Sequence, residues 1–87
     1  MGEPKVRDKA KILLVEDDLE LCERLKDWFS LENHVVEDVT SGEDALQMLR
    51  NYHFDIIVLD LGLPGMPGVE VCKKYRSEGG RTPILFL

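Results

Sequence analysis

Two short apolar runs, each ending in acids, constrain this chain more than anything else in it. Ile12-Leu13-Leu14-Val15 runs into Glu16-Asp17-Asp18, and Ile56-Ile57-Val58-Leu59 runs into Asp60. Continuous apolar runs of this length, rich in branched residues, read as strands buried on both faces, the pattern of parallel sheets. If the two strands are parallel neighbours, their acids converge at one edge of the sheet, where open α/β sheets bind ligands. Carboxylates gathered there repel one another unless a hard cation joins them, and an all-oxygen donor set suits Mg²⁺.

The segments between and around these runs follow a different period. Residues 1–10 are polar, contain Pro4 and read as a flexible leader. Asp18 can cap a helix whose apolar positions Leu21, Leu25, Trp28 and Phe29 fall at helical spacing. Asn33-His34 breaks that pattern, and Val35–Val39 follows as a strand whose charged residues suit a sheet edge. Ser41-Gly42-Glu43-Asp44 resembles a capping box, opening a helix with Ala45, Met48, Leu49 and Tyr52 on one face. Asp55–Leu59 is the third strand. A loop dense in Pro and Gly, Leu63-Pro64-Gly65-Met66-Pro67-Gly68, then leads into a short helix carrying Val71, Cys72 and Tyr75. That helix stops at Gly79-Gly80, and Pro83–Leu87 is a fourth strand. The order β-α-β-α-β-α-β, with short connections, is that of right-handed parallel crossovers and predicts a doubly wound α/β sheet.

Several function classes are disfavoured. The chain has 87 residues, enough for one small domain. Eleven basic against 17 acidic residues leave a net charge of −6, which argues against a nucleic-acid surface. Cys22 and Cys72 sit in apolar helical patterns and match neither a disulfide framework nor a metal spacing, which favours a reduced, cytoplasmic setting. No apolar stretch approaches membrane-spanning length. His34 and His53 lie in predicted turns and read as solvated, while Trp28-Phe29 and Tyr75 read as core or helix-packing residues. Lys73-Lys74-Tyr75-Arg76 reads as a solvated helix face.

An aspartate held among metal-binding acids can act as nucleophile toward a phosphoryl group, a transfer that needs positioning and charge neutralisation above all. Two stretches carry a resemblance: Ile12-Leu13-Leu14-Val15-Glu16-Asp17-Asp18, and Asp55-Ile56-Ile57-Val58-Leu59-Asp60-Leu61-Gly62-Leu63-Pro64-Gly65. Together with Pro83-Ile84-Leu85-Phe86-Leu87 they closely resemble the receiver domain of bacterial two-component response regulators, from about residue 10 to residue 87. The resemblance implies a flavodoxin-like strand order 2-1-3-4. It implies a signalling domain rather than a turnover enzyme. In it, Asp60 would take phosphate from a histidine kinase with the help of Mg²⁺. By position, Asp17 would be a direct metal ligand, Glu16 a ligand through water, and the backbone carbonyl of Gly62 a further ligand. Asp18, one place past the acid pair, is left to helix capping.

Two further residues used by the family have no counterpart in residues 11–87. A Ser or Thr would stand at position 88, directly after the fourth strand, and a Lys would end a fifth strand. The expectation is therefore a partial receiver domain, lacking the family's last helix-strand-helix. An alternative class is a non-phosphorylating interaction fragment that self-associates, as a homo-oligomer, through an exposed last strand or is completed by another chain. A third option, an aspartate-nucleophile phosphatase of the haloacid dehalogenase type, wants a second Asp two residues after the nucleophile, where Gly62 stands.

Overall fold

The computed structural model describes residues 9–87, so nearly all of the expected leader, residues 1–10, lies outside the described residues. Along the chain run β1 (Lys11–Val15), α1 (Leu19–Leu31), β2 (Val35–Val39), α2 (Gly42–Asn51), β3 (Ile56–Leu59), α3 (Gly68–Ser77) and β4 (Ile84–Phe86). The strands are parallel in the order β2-β1-β3-β4, the expected doubly wound arrangement. Charged β2 lies at one edge, as its composition predicts, and β4 at the other, with Leu85, Phe86 and Leu87 exposed. Among the described residues, no helix is long and apolar enough to cross a membrane.

Alternation along the strands divides the core in two. Leu13, Val15, Ile57 and Leu59 pack with Ala45, Leu46, Phe54, Leu63 and Val71 on the α2–α3 side of the sheet. Ile12, Leu14 and Val58 pack with Cys22 on the α1 side. Both faces of β1 and β3 are therefore covered, which is why their sequences are apolar without alternation. The helix starts follow the expected caps. Asp18 Oδ1 accepts from the backbone N–H groups of Glu20 and Leu21 at 3.1 and 3.2 Å, and Ser41 Oγ accepts from that of Asp44 at 3.1 Å.

The inward face of α1 differs from the one expected. Cys22, Leu25 and Phe29, spaced i, i+3, i+7, meet the sheet, whereas Trp28 is 66% exposed. One residue is about 100° of helix rotation, and the narrow strip offered by Ile12, Leu14, Val36 and Val58 admits Phe29 and leaves Trp28 outside. Tyr52 is likewise turned outward, following the last residue of α2, with the Lys11 ammonium 5.8 Å from its ring centre. Tyr75 does pack as expected, its hydroxyl accepting from the Thr82 N–H at 3.2 Å. Cys72 is only partly buried. Cys22 is buried, its Sγ donating to Asp38 Oδ2 at 3.5 Å, and burial pushes its thiol up to about 11.

The two histidines part company. His53 is solvated, but His34 Nδ1 accepts the Ala10 N–H at 3.0 Å while the Val35 N–H reaches the Ala10 carbonyl at 2.9 Å. His34 thus stands in for a strand carbonyl at the start of the β1–β2 ladder, a long-range role its turn position did not suggest. Asp55, expected within β3, instead precedes it and accepts the Lys11 N–H at 2.7 Å through Oδ2.

Because Leu13 is fully buried between strand and helices, Leu13→Ala should lower unfolding free energy by about 3 kcal/mol, while Trp28→Ala changes it by less than about 1 kcal/mol. Urea unfolding of the two variants checks this; equal losses would refute the two-face core.

Candidate functional site

The sheet register builds the site. Val15 pairs with Leu59, so the next residue of each strand, Glu16 and Asp60, leaves the sheet beside the other. Two ladder bonds continue past the strand ends: Asp60 N–H to Val15 O at 3.0 Å and Glu16 N–H to Val39 O at 3.1 Å. These bonds hold both acid-bearing backbones in line with the sheet. Glu16, Asp17 and Asp60 each place one carboxylate oxygen within 4.8 Å of the others. Three of the residues singled out in the sequence therefore meet at one point.

Their surroundings differ. Glu16 is buried at 3% exposure, Asp60 is half-buried and Asp17 is exposed. Burial holds the Glu16 carboxyl above its ordinary range; the backbone N–H of Asp18, 2.9 Å from Oε2, pulls it back, and the charges of Asp60, Asp17 and Asp18 push it further up. Among the described residues, every ion pair lies elsewhere: Arg24–Glu20, Lys26–Asp38, Arg50–Glu78 and His53–Asp55. At a surface-like dielectric, two full charges about 5 Å apart repel by about 3 kcal/mol. Three uncompensated carboxylates at one point therefore form a site that a small, hard cation would stabilise.

The loop after β3 frames the acceptor side. The Gly62 N–H donates to Asp60 Oδ1 at 3.1 Å, fixing that carboxylate oxygen. Gly62 carries no side chain over the carboxylate, and a Cβ built there would stand 3.9 Å from Oδ1. The loop closes on itself where the Gly68 N–H meets the Leu61 carbonyl at 3.1 Å. Gly68 is the closest backbone approach in the site: an added Cβ would lie 2.4 Å from the Asp60 carbonyl oxygen and 2.9 Å from Leu61 Cα. The sequence marks Pro67-Gly68 as loop closure and helix entry, which it is, with Pro67 capping α3. That Gly68 also touches the backbone of Asp60 has no signal in the sequence beyond the residue type.

Asp18, beside the acid pair, is occupied by capping α1, as expected. A cleft of about 720 Å³ lies away from the acids, lined by residues such as Arg50, Tyr75, Glu78 and Thr82. It contains none of Glu16, Asp17 or Asp60, and the Arg50–Glu78 pair already spans it, with contacts of 2.8 and 3.1 Å.

The response regulator receiver domain family matches residues 12–87. The two-component response regulator PhoP of Pseudomonas aeruginosa is 43% identical over 77 residues, which cover 88% of this chain and 34% of PhoP. The chain thus spans about a third of the length of such curated relatives. Among solved structures, the chemotaxis response regulator CheY4 of Vibrio cholerae superposes with a TM-score of 0.84 at 31% identity, covering 91% of this chain and 68% of that one. The response regulator TrrA of Thermotoga maritima, solved in complex with Mg²⁺–BeF, superposes with a TM-score of 0.78 at 28% identity, covering 91% and 66%. With its strand order, acid cluster and sequence all in agreement, this chain belongs to the receiver domain family of two-component response regulators.

Proposed function

We propose that Asp60 is the phosphoacceptor of a two-component signalling domain, with Glu16, Asp17, Asp60 and the backbone carbonyl of Gly62 holding Mg²⁺. One observation carries the reading: three carboxylates meet within 4.8 Å with no cationic side chain paired to them among the described residues. The donor set is all oxygen and one member is buried, which suits Mg²⁺ over softer ions. The Mg²⁺–BeF complex of the similar protein TrrA supports the same choice. When bound, Mg²⁺ supplies positive charge that offsets the acids and the incoming phosphoryl oxygens.

The chain's own residues supply the rest. The Gly62 N–H holds Asp60 Oδ1 and so restrains the carboxylate that acts as the nucleophile. A carboxylate oxygen of Asp60 attacks the phosphorus of a phosphohistidine on a histidine kinase. A carboxylate O–P bond forms as the N–P bond breaks, and the imidazole leaves with its electron pair. Gly62 is exposed and Asp60 half-buried, so the carboxylate stands at the surface that a protein donor would meet. The product is an acyl phosphate, and its added charge is the signal. The role is that of a phosphoacceptor switch rather than of an enzyme acting on a separate substrate.

Incubation with a small phosphodonor such as acetyl phosphate is expected to give Mg²⁺-dependent, hydroxylamine-labile phosphate on the chain, absent from Asp60→Asn. Labelling that survives the substitution would place the acceptor elsewhere. A second expectation concerns pH. Because folding raises the Glu16 carboxyl, the folded chain keeps a proton there that the unfolded chain has lost. Below the ordinary carboxylate range that group favours the fold; its contribution is lost as pH rises through and beyond that range. In chelator, Glu16→Gln should therefore melt at higher temperature than the parent at pH 7, the gap narrowing toward about pH 4. A gap independent of pH would rule out the buried acid as its source.

A further inference from the structure

Five glycines are constrained at the loop ends and helices: Gly80 makes room for the Tyr75 ring, an added Cβ lying 2.2 Å from it, and the other four divide by reason. Gly65 and Gly79 have φ of +80° and +93°, where an L side chain is strained. Gly42 and Gly68 have no such backbone; what they supply is space. Gly68 admits the backbone of Asp60, as described above. Gly42, the first residue of α2, lies outside the acid cluster, yet an added Cβ there would stand 2.6 Å from Val71 Cγ2 and 3.1 Å from both the Cβ and the carbonyl oxygen of Met66. Met66 belongs to the loop between β3 and α3, and Val71 to the first turns of α3.

We propose that Gly42 is a positioning residue: the side chain it lacks leaves the seat in which Met66 and Val71 hold the β3–α3 loop, and through it Asp60 and Gly62, in place for Mg²⁺. The inference rests on the metal reading above.

The mechanical path is short. Val71 is 1% exposed and β-branched, so its methyl has no easy rotamer to move into. The Val71 N–H is tied to the Pro67 carbonyl at 3.1 Å, and the neighbouring Gly68 is tied to Leu61 and lies against Asp60. Pushing Val71 and Met66 away from α2 therefore moves the loop against the backbone of the acceptor. Gly42 and Gly68 are the two clearances that bracket residues 61–67, one against α2 and one against β3. Helix propensity alone predicts the reverse sign for Gly42→Ala, since Ala is favoured over Gly in a helix. A loss on adding one methyl is thus a signature of the seat.

The test titrates Mg²⁺ by calorimetry into the full chain, Gly42→Ala, Val71→Ala and the double variant, with a urea midpoint for each. Gly42→Ala is expected to bind Mg²⁺ roughly tenfold more weakly, in the range seen when outer-shell partners of a metal are lost. Val71→Ala, which removes one wall of the seat without adding bulk, should weaken Mg²⁺ binding less than Gly42→Ala does and sets the reference for the double variant. The double variant loses the tightest approach, the 2.6 Å one to Val71 Cγ2, and keeps the 3.1 Å approaches to Met66, so it should recover most of the affinity lost in Gly42→Ala, toward that of Val71→Ala. A merely structural glycine would shift the urea midpoint and leave the affinity of the folded protein alone. Parent-like affinity in Gly42→Ala overturns the proposal, as does a double variant that stays weak. If Gly42→Ala does not fold, the double variant decides: folding with affinity near that of Val71→Ala supports the seat, and failure of either overturns it. Absence of Mg²⁺ binding by the parent chain would instead remove the metal reading, and this inference with it.

Discussion

The parallel pairing of β1 with β3 is the constraint on which the rest of this structure depends. Its register sets Ile12 against Ile56 and Val15 against Leu59. That choice sends Leu13, Val15, Ile57 and Leu59 to one core and Ile12, Leu14 and Val58 to the other. It also brings Glu16 and Asp60 off the sheet together. A slip of one residue on either strand would turn its side chains to the wrong faces and part the acids. Core and chemistry are thus set by one ladder, and a sequence cannot alter the register of the first without dismantling the second.

The acid cluster works against the fold that creates it. Glu16 is buried among like charges, with only the Asp18 N–H to offset them, and its carboxyl is held above the ordinary range in consequence. Elsewhere the chain handles charge conventionally: Asp38 is held below its ordinary range chiefly by the Lys26 ammonium, 3.0 Å away, and Glu78 by the two-point contact of Arg50. The chain pairs Asp38 and Glu78 with bases yet leaves Glu16, Asp17 and Asp60 together at one sheet edge with no paired base among the described residues, an arrangement that stores unfavourable energy.

Around that edge, much of the precision comes from what is absent. The Gly62 position leaves the Asp60 carboxylate open, Gly68 lets α3 lie against its backbone, and Gly42 leaves room for the loop against α2. These clearances show why two glycine-initiated helices start where they do, beyond any need for unusual backbone angles. Strand ends, caps and the acid cluster were legible because each rests on local pattern or on composition: apolar runs, Asp18 and Ser41 ahead of helical periods, acids with no compensating bases. The inward face of α1 was not, since Trp28 and Phe29 are equally apolar and only the width of the sheet strip chooses between them. Nor was His34, whose partner, Ala10, is 24 residues away in sequence.

By itself the sequence determined the element order, the parallel character of the sheet and the identity of the acids, because hydrophobic period and charge are local properties of the chain. The tertiary structure alone decided which face of α1 turns inward, that a histidine nitrogen completes a strand ladder, and that Gly42 and Gly68 must be bare. Those are matters of distance between segments remote in sequence, and distances of a few tenths of an ångström between packed atoms are set only when all the segments are in place.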